Sequence, residues 1–130
     1  MYSDKVIEHF SNPHNMGELI DADGIGEVGN AICGDIMKMY IKVENDVIIE
    51  ASFKTFGCAS AIASSSITTE LIKGKKIKEA LKITNQQVVN ELGGLPKNKI
   101  HCSLLAEESI KLAIADYYTR QGIEFHGKEL

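Results

Sequence analysis

Ile36-Met37-Lys38-Met39-Tyr40-Ile41-Lys42-Val43, Glu44-Asn45-Asp46, Val47 to Phe56, and then Gly57-Cys58-Ala59-Ser60-Ala61-Ile62-Ala63-Ser64-Ser65-Ser66 form one continuous stretch in which the hydrophobic period changes. In its first part Met37, Met39, Ile41 and Val43 fall on one side of an extended chain, and Lys38 and Lys42 on the other. Glu44-Asn45-Asp46 supplies a turn. Residues 47–56 alternate again, with Ile49, Ala51, Phe53 and Thr55 sharing a face, so the pair reads as a β-hairpin. Beyond Cys58 the alternation stops. Ala59 to Lys73 reads as a helix rich in small residues and ended by Gly74, and small residues let a helix lie close to a sheet or a ligand.

Upstream, Ser3 is placed to cap a short helix from Asp4 to Phe10, with Val6, Ile7 and Phe10 on one face. Asn12-Pro13-His14-Asn15 ends it, and residues 15–35 read as loop with a short strand near Gly26–Gly29. Downstream, Lys75 to Leu81 and Asn85 to Leu92 predict two short helices, and Gly93-Gly94-Leu95-Pro96 breaks the pattern. A longer helix is expected from Ser103 to Arg120, capped by Ser103, with Leu104, Leu105, Ile110, Leu112, Ala113 and Ile114 available for burial. The fold class is α+β: a small antiparallel sheet of about three strands covered by helices, the last of them long, in a single domain over residues 1–130.

The composition is that of an ordinary globular domain, with 44% apolar and 25% charged residues and a net charge of −4. That mild acidity argues against a general nucleic-acid or membrane-surface binder. No signal-like apolar run opens the sequence and no segment approaches the length of a membrane span, so a cytoplasmic location is expected. Three widely spaced cysteines do not make a disulfide framework, which leaves reduced thiols with a chemical role or plain buried thiols.

All three cysteines fall at joints between elements. Cys33 precedes the first hairpin strand, Cys58 lies between strand and helix, and Cys102 precedes the long helix. A helix N-terminus favours a thiolate, the form that binds metal and attacks sulfur, and this applies to Cys58 and Cys102. Gly34 and Gly57 let the backbone approach a ligand. Asp35 lies two residues from Cys33, and His101 adjoins Cys102. Three thiolates, a carboxylate and an imidazole suit either a tetrahedral metal or an iron–sulfur cluster, and the spacing does not separate the two.

Four stretches carry a resemblance: Tyr2 to Phe10 with Asn12-Pro13, Cys33-Gly34-Asp35-Ile36-Met37-Lys38, Phe53 to Ser66, and Lys99-Ile100-His101-Cys102-Ser103-Leu104-Leu105-Ala106-Glu107. Through them the chain resembles the IscU/NifU-type iron–sulfur cluster scaffold family over nearly its whole length. The resemblance implies a non-enzymatic scaffold that assembles a labile [2Fe–2S] cluster on Cys33, Cys58 and Cys102. Asp35 and His101 stand as candidates for the fourth ligand and its assistant. It implies a cysteine desulfurase as sulfur donor, with Cys102 the candidate persulfide acceptor, an iron donor, an electron donor, and apo iron–sulfur proteins as acceptors. Zinc is a further occupant of the cluster-free form. Tyr2 matches a family tyrosine linked to pairing of two scaffolds, so a monomer or weak homo-oligomer is expected. Where many bacterial members carry Leu-Pro-Pro-Val-Lys, a docking segment for an Hsp70-type chaperone, this chain has Leu95-Pro96-Lys97-Asn98-Lys99. Its polar middle counts against chaperone-assisted release. The alternative is a zinc-dependent sulfur-transfer protein, as in a related branch, but that branch lacks the histidine before its third cysteine.

Other signals are weaker. Gly24-Ile25-Gly26-Glu27-Val28-Gly29 matches a dinucleotide-binding spacing without the required strand before it and helix after it. Lys73-Gly74-Lys75-Lys76-Ile77-Lys78 reads as a solvated helix end or a protein-docking patch. His9, His14 and His126 read as surface or structural.

Overall fold

The alternation over residues 36–56 is realised as the hairpin it predicts. The computed structural model describes residues 2–30 and 34–122; Cys33 and His126 lie outside the described residues. Strand β2 (Asp35–Glu44) turns at Asn45 and Asp46 into β3 (Val47–Phe56), and both turn residues have positive φ, +52° and +63°, as a two-residue hairpin with native twist requires. Strand β1 (Gly24–Asn30) pairs antiparallel with the other side of β2, giving the order β1-β2-β3.

Met37, Met39 and Ile41 point into the core as the period-two pattern requires. On β3 the inward residue near the turn is Ile48, not the expected Ile49. Lys42 opposes Glu50 but Val43 opposes Ile48, so Ile49 is an extra residue, and this bulge flips the alternation.

Helix α1 (Asp4–Ser11) is capped as expected, with Ser3 Oγ accepting from Val6 N at 3.1 Å. It buries Val6 and His9 against α2 while Ile7 and Phe10 remain exposed, a correction to the face read from sequence. Helix α2 (Ala59–Ile72) covers β3, and α3 (Ile77–Ala80) and α4 (Asn85–Glu91) follow. The expected helix from Lys75 starts two residues late because Lys75 and Lys76 pair with the start of β3: Ile48 N donates to Lys75 O at 2.9 Å, and Val47 bridges to Lys76.

Helix α5 (Ile100–Arg120) follows a short 3-10 turn, Lys97–Lys99. It begins before Cys102 rather than after it. Ser103 is no cap; its hydroxyl donates to Ile100 O at 2.6 Å within the first turn. Leu105, Ile110, Ala113 and Ile114 are buried, whereas Leu104 and Leu112 join Glu108 on the outer stripe at four-residue spacing. The stretch that matched a dinucleotide motif is strand β1 pressed on α5. A Cβ on Gly26 would lie 2.4 Å from Ala113 N and 2.5 Å from Ser109 O. No helix among the described residues is long and apolar enough to cross a membrane.

Candidate metal centre

Three elements end at one place, and each brings a ligand-type side chain. Asp35 opens β2 after Gly34, whose φ of +73° suits glycine. Cys58 is the N-cap residue of α2, where its carbonyl accepts from Ala61 and Ile62 N–H. His101 and Cys102 lie in the first turn of α5. The ligand atoms of Asp35, Cys58 and Cys102 all lie within 4.8 Å of one another. Cys58 Sγ is 3.9 Å from Cys102 Sγ, and Cys102 Sγ is 3.7 Å from Asp35 Oδ2. His101 Nε2 touches two of the three, at 3.0 Å from Asp35 Oδ2 and 3.6 Å from Cys102 Sγ.

These spacings suit metal binding. A zinc ion with sulfur at about 2.3 Å and nitrogen or oxygen at about 2.0 Å, held tetrahedrally, separates its ligand atoms by about 3.3–3.8 Å. The three contacts of Cys102 Sγ, with Cys58, Asp35 and His101, lie close to those edges, and soft thiolates beside a carboxylate and an imidazole are ligands that iron and zinc both accept. Cys33, expected to complete the set, lies outside the described residues.

Asp35 is only 5% exposed and Cys102 fully buried. Gly57 makes room for Asp35: a Cβ there would sit 2.4 Å from Asp35 Oδ1. The sequence suggests that the helix start holds Cys102 as a thiolate. In the folded protein burial pushes its thiol pKa up, and Cys58 and then Asp35 add to the shift. The protonated thiol donates toward the Asp35 carboxylate, with His101 Nε2 3.6 Å away, so a metal that binds there must displace the proton.

Sequence reasoning did not mark Lys99 as part of this site. Its ammonium is exposed, and its pKa is raised by Cys58 first, with further contributions from Tyr2, Cys102 and Asp35. The one signal was its place, three residues before Cys102. The sequence reads Gly57 as a place where the backbone approaches a ligand; in the fold the room it leaves is taken by Asp35.

The model of the NifU-like N-terminal domain matches residues 1–124. A scaffold protein from Archaeoglobus fulgidus named for iron–sulfur cluster assembly, IscU 1, is 57% identical over 122 residues, 94% of this chain and 80% of its own. The Drosophila melanogaster iron–sulfur cluster assembly enzyme IscU is 54% identical over 125 residues, covering 93% and 80%. A crystal structure of a candidate cluster-assembly scaffold for the SUF system from Fervidobacterium islandicum superposes with a TM-score of 0.66, covering 87% of this chain and 96% of that one. At 24% identity that likeness speaks to the fold alone.

Proposed function

The chain belongs to the family of NifU-like N-terminal domains, and on that premise we propose that it is a scaffold on which iron and sulfide are built into a [2Fe–2S] cluster and from which the cluster passes to apo-proteins. The observation that carries this reading is the convergence of Asp35, Cys58 and Cys102, with His101 in contact, at the ends of three different elements. The cluster is cargo. Cys33, Cys58 and Cys102 are its thiolate ligands, and Asp35 or His101 takes the remaining position.

A donor set with one oxygen or nitrogen opens more readily than four thiolates, because the harder donor suits an iron–sulfur centre less well. Sulfur arrives on Cys102 as a persulfide from a cysteine desulfurase, and an electron donor reduces it to sulfide. The Cys102 proton leaves through the neighbouring carboxylate or imidazole. The protein itself turns over no substrate, although one relative's name includes the word enzyme.

One observation also favours a second reading, zinc-dependent sulfur transfer: the ligand spacings fit a single zinc ion as well. Anaerobic reconstitution, followed by visible absorption and by iron, sulfide and zinc analysis, separates the two. Cys58→Ser and Cys102→Ser should each lower bound iron and sulfide by at least about tenfold with the circular dichroism unchanged. Normal cluster content in both variants refutes the assignment. Tightly held zinc that never exchanges for iron and sulfide selects the second reading.

A further inference from the structure

Residues 73–82 carry five of the chain's 14 basic residues, Lys73, Lys75, Lys76, Lys78 and Lys82, and only one of its 18 acidic ones, Glu79. The stretch is therefore +4 in a chain of net −4, and the rest of the molecule is −8. All five lysines are exposed. Among the described residues Lys42, Lys54, Lys111 and Arg120 each sit in an ion pair, and none of these five does. Glu79 is occupied by the backbone, its Oε1 accepting from Lys76 N at 3.2 Å. Such a concentration of lysines outside ion pairs, in excess over the nearby Asp46 and Glu79, favours an anionic partner.

The patch also has depth. A cavity of about 350 Å3 opens between Lys78, Leu81, Lys82 and Tyr118. Beside it one of about 250 Å3 is lined by Asp46, Lys76, Ile77, Lys78 and Tyr118. The backbone beneath is fastened to the hairpin: Ile77 N donates to Asp46 O at 2.9 Å, and Gly74 N to Ile48 O at 2.7 Å.

Its position follows from the same elements that build the metal centre. Strand β2 has Asp35 at one end and the Asn45-Asp46 turn at the other. Helix α2 lies between its caps Cys58 and Lys73, and α5 carries Cys102 in its first turn and Tyr118 near its far end. At about 3.3 Å per strand residue and 1.5 Å per helix residue, these lengths hold the poles roughly 20–30 Å apart.

We propose that this lysine pole is a docking surface for an acidic polypeptide segment with an apolar side chain among its carboxylates, and that it is occupied while the cysteine pole is loaded. A nucleic acid or an anionic membrane would extend its charge past the patch onto a remainder of −8 and be repelled. A peptide confines its carboxylates to the span of the lysines, and its apolar side chain fills the cavity walled by Leu81 and Tyr118. The inference does not depend on the cluster reading.

The test is a titration of the isotope-labelled full chain, apo and zinc-loaded, followed by amide resonances. The probe is a synthetic hexapeptide of glutamates around one phenylalanine. The controls are the same peptide with serines for glutamates, and a single-stranded oligonucleotide of equal charge. Saturable shifts are expected at residues 75–82 and 118, with the same affinity whether or not zinc fills the other pole. Lys78→Glu with Lys82→Glu should weaken binding by about fivefold or more, and Lys78→Gln with Lys82→Gln should weaken it less. Zinc uptake by these variants verifies that they fold. Equal binding of the serine peptide, tighter binding of the oligonucleotide, a smaller effect of the double variant, or loss of peptide binding on zinc loading would each overturn the proposal.

Discussion

Asp35 is a buried carboxylate whose place depends on a missing methyl group. It reaches Cys102 and His101 because Gly57 leaves its Oδ1 room. As the hard donor of the proposed set, it holds ferrous iron well and a finished cluster poorly. Asp35→Ala should therefore slow cluster transfer to an apo-ferredoxin and lengthen the life of the bound cluster in air. Gly57→Ala, which displaces the carboxylate, should act in the same direction. Unchanged transfer with a lower melting temperature would reduce Asp35 to a structural role. A second buried group, His9, has its Nδ1 2.8 Å from Ser66 Oγ, and burial first, then His14, holds its pKa below the ordinary 6.5. Below pH 6.5 the unfolded chain thus binds more protons than the folded one. The stability is fully present above that pH and is lost as pH falls through the folded value. His9→Asn keeps a hydrogen-bonding group toward Ser66 without the titration. Between about pH 7 and pH 5 its melting temperature should fall less than that of the wild type; parallel curves would assign the acid sensitivity elsewhere.

At the scale of elements, the metal centre depends on how closely α5 lies on β1. Helix and strand approach at Gly24 and Gly26, where a side chain would meet the backbone of Ala113 and Ser109 rather than a flexible side chain that yields. Gly26→Ala is expected to destabilise the fold by about 2–3 kcal/mol, as overpacking against fixed backbone does. Gly29→Ala, whose Cβ would meet Ile36 Cγ1 at 3.4 Å, serves as the tolerated control. Denaturant unfolding of the two variants measures the difference. Because α5 also carries His101 and Cys102, Gly26→Ala should weaken zinc binding as well, from a site it does not touch.

For the whole molecule, one ion bound at the proposed centre would tie together the starts of β2, α2 and α5. A ligand that binds only the folded state stabilises it by about 2.7 kcal/mol at a hundredfold excess over its Kd, so zinc should raise the melting temperature by several degrees near neutral pH. The gain should shrink as pH falls, because the buried Cys102 thiol must release its proton to the solvent. Cys102→Ser should lose most of it. Residue type and period by themselves determined the hairpin, the small-residue helix after Cys58, and the chemistry of Asp35, Cys58, His101 and Cys102, because alternation and ligand softness are properties of neighbours along the chain. Only the tertiary structure decided that Ile48 rather than Ile49 faces inward, since a bulge is set by pairing with the opposite strand. It alone brought Asp35 to His101 across 66 residues and Cys58 to Cys102 across 44. It also reversed the expected protonation of Cys102, for the dipole of a helix start is a local property while burial is the sum of everything packed around it.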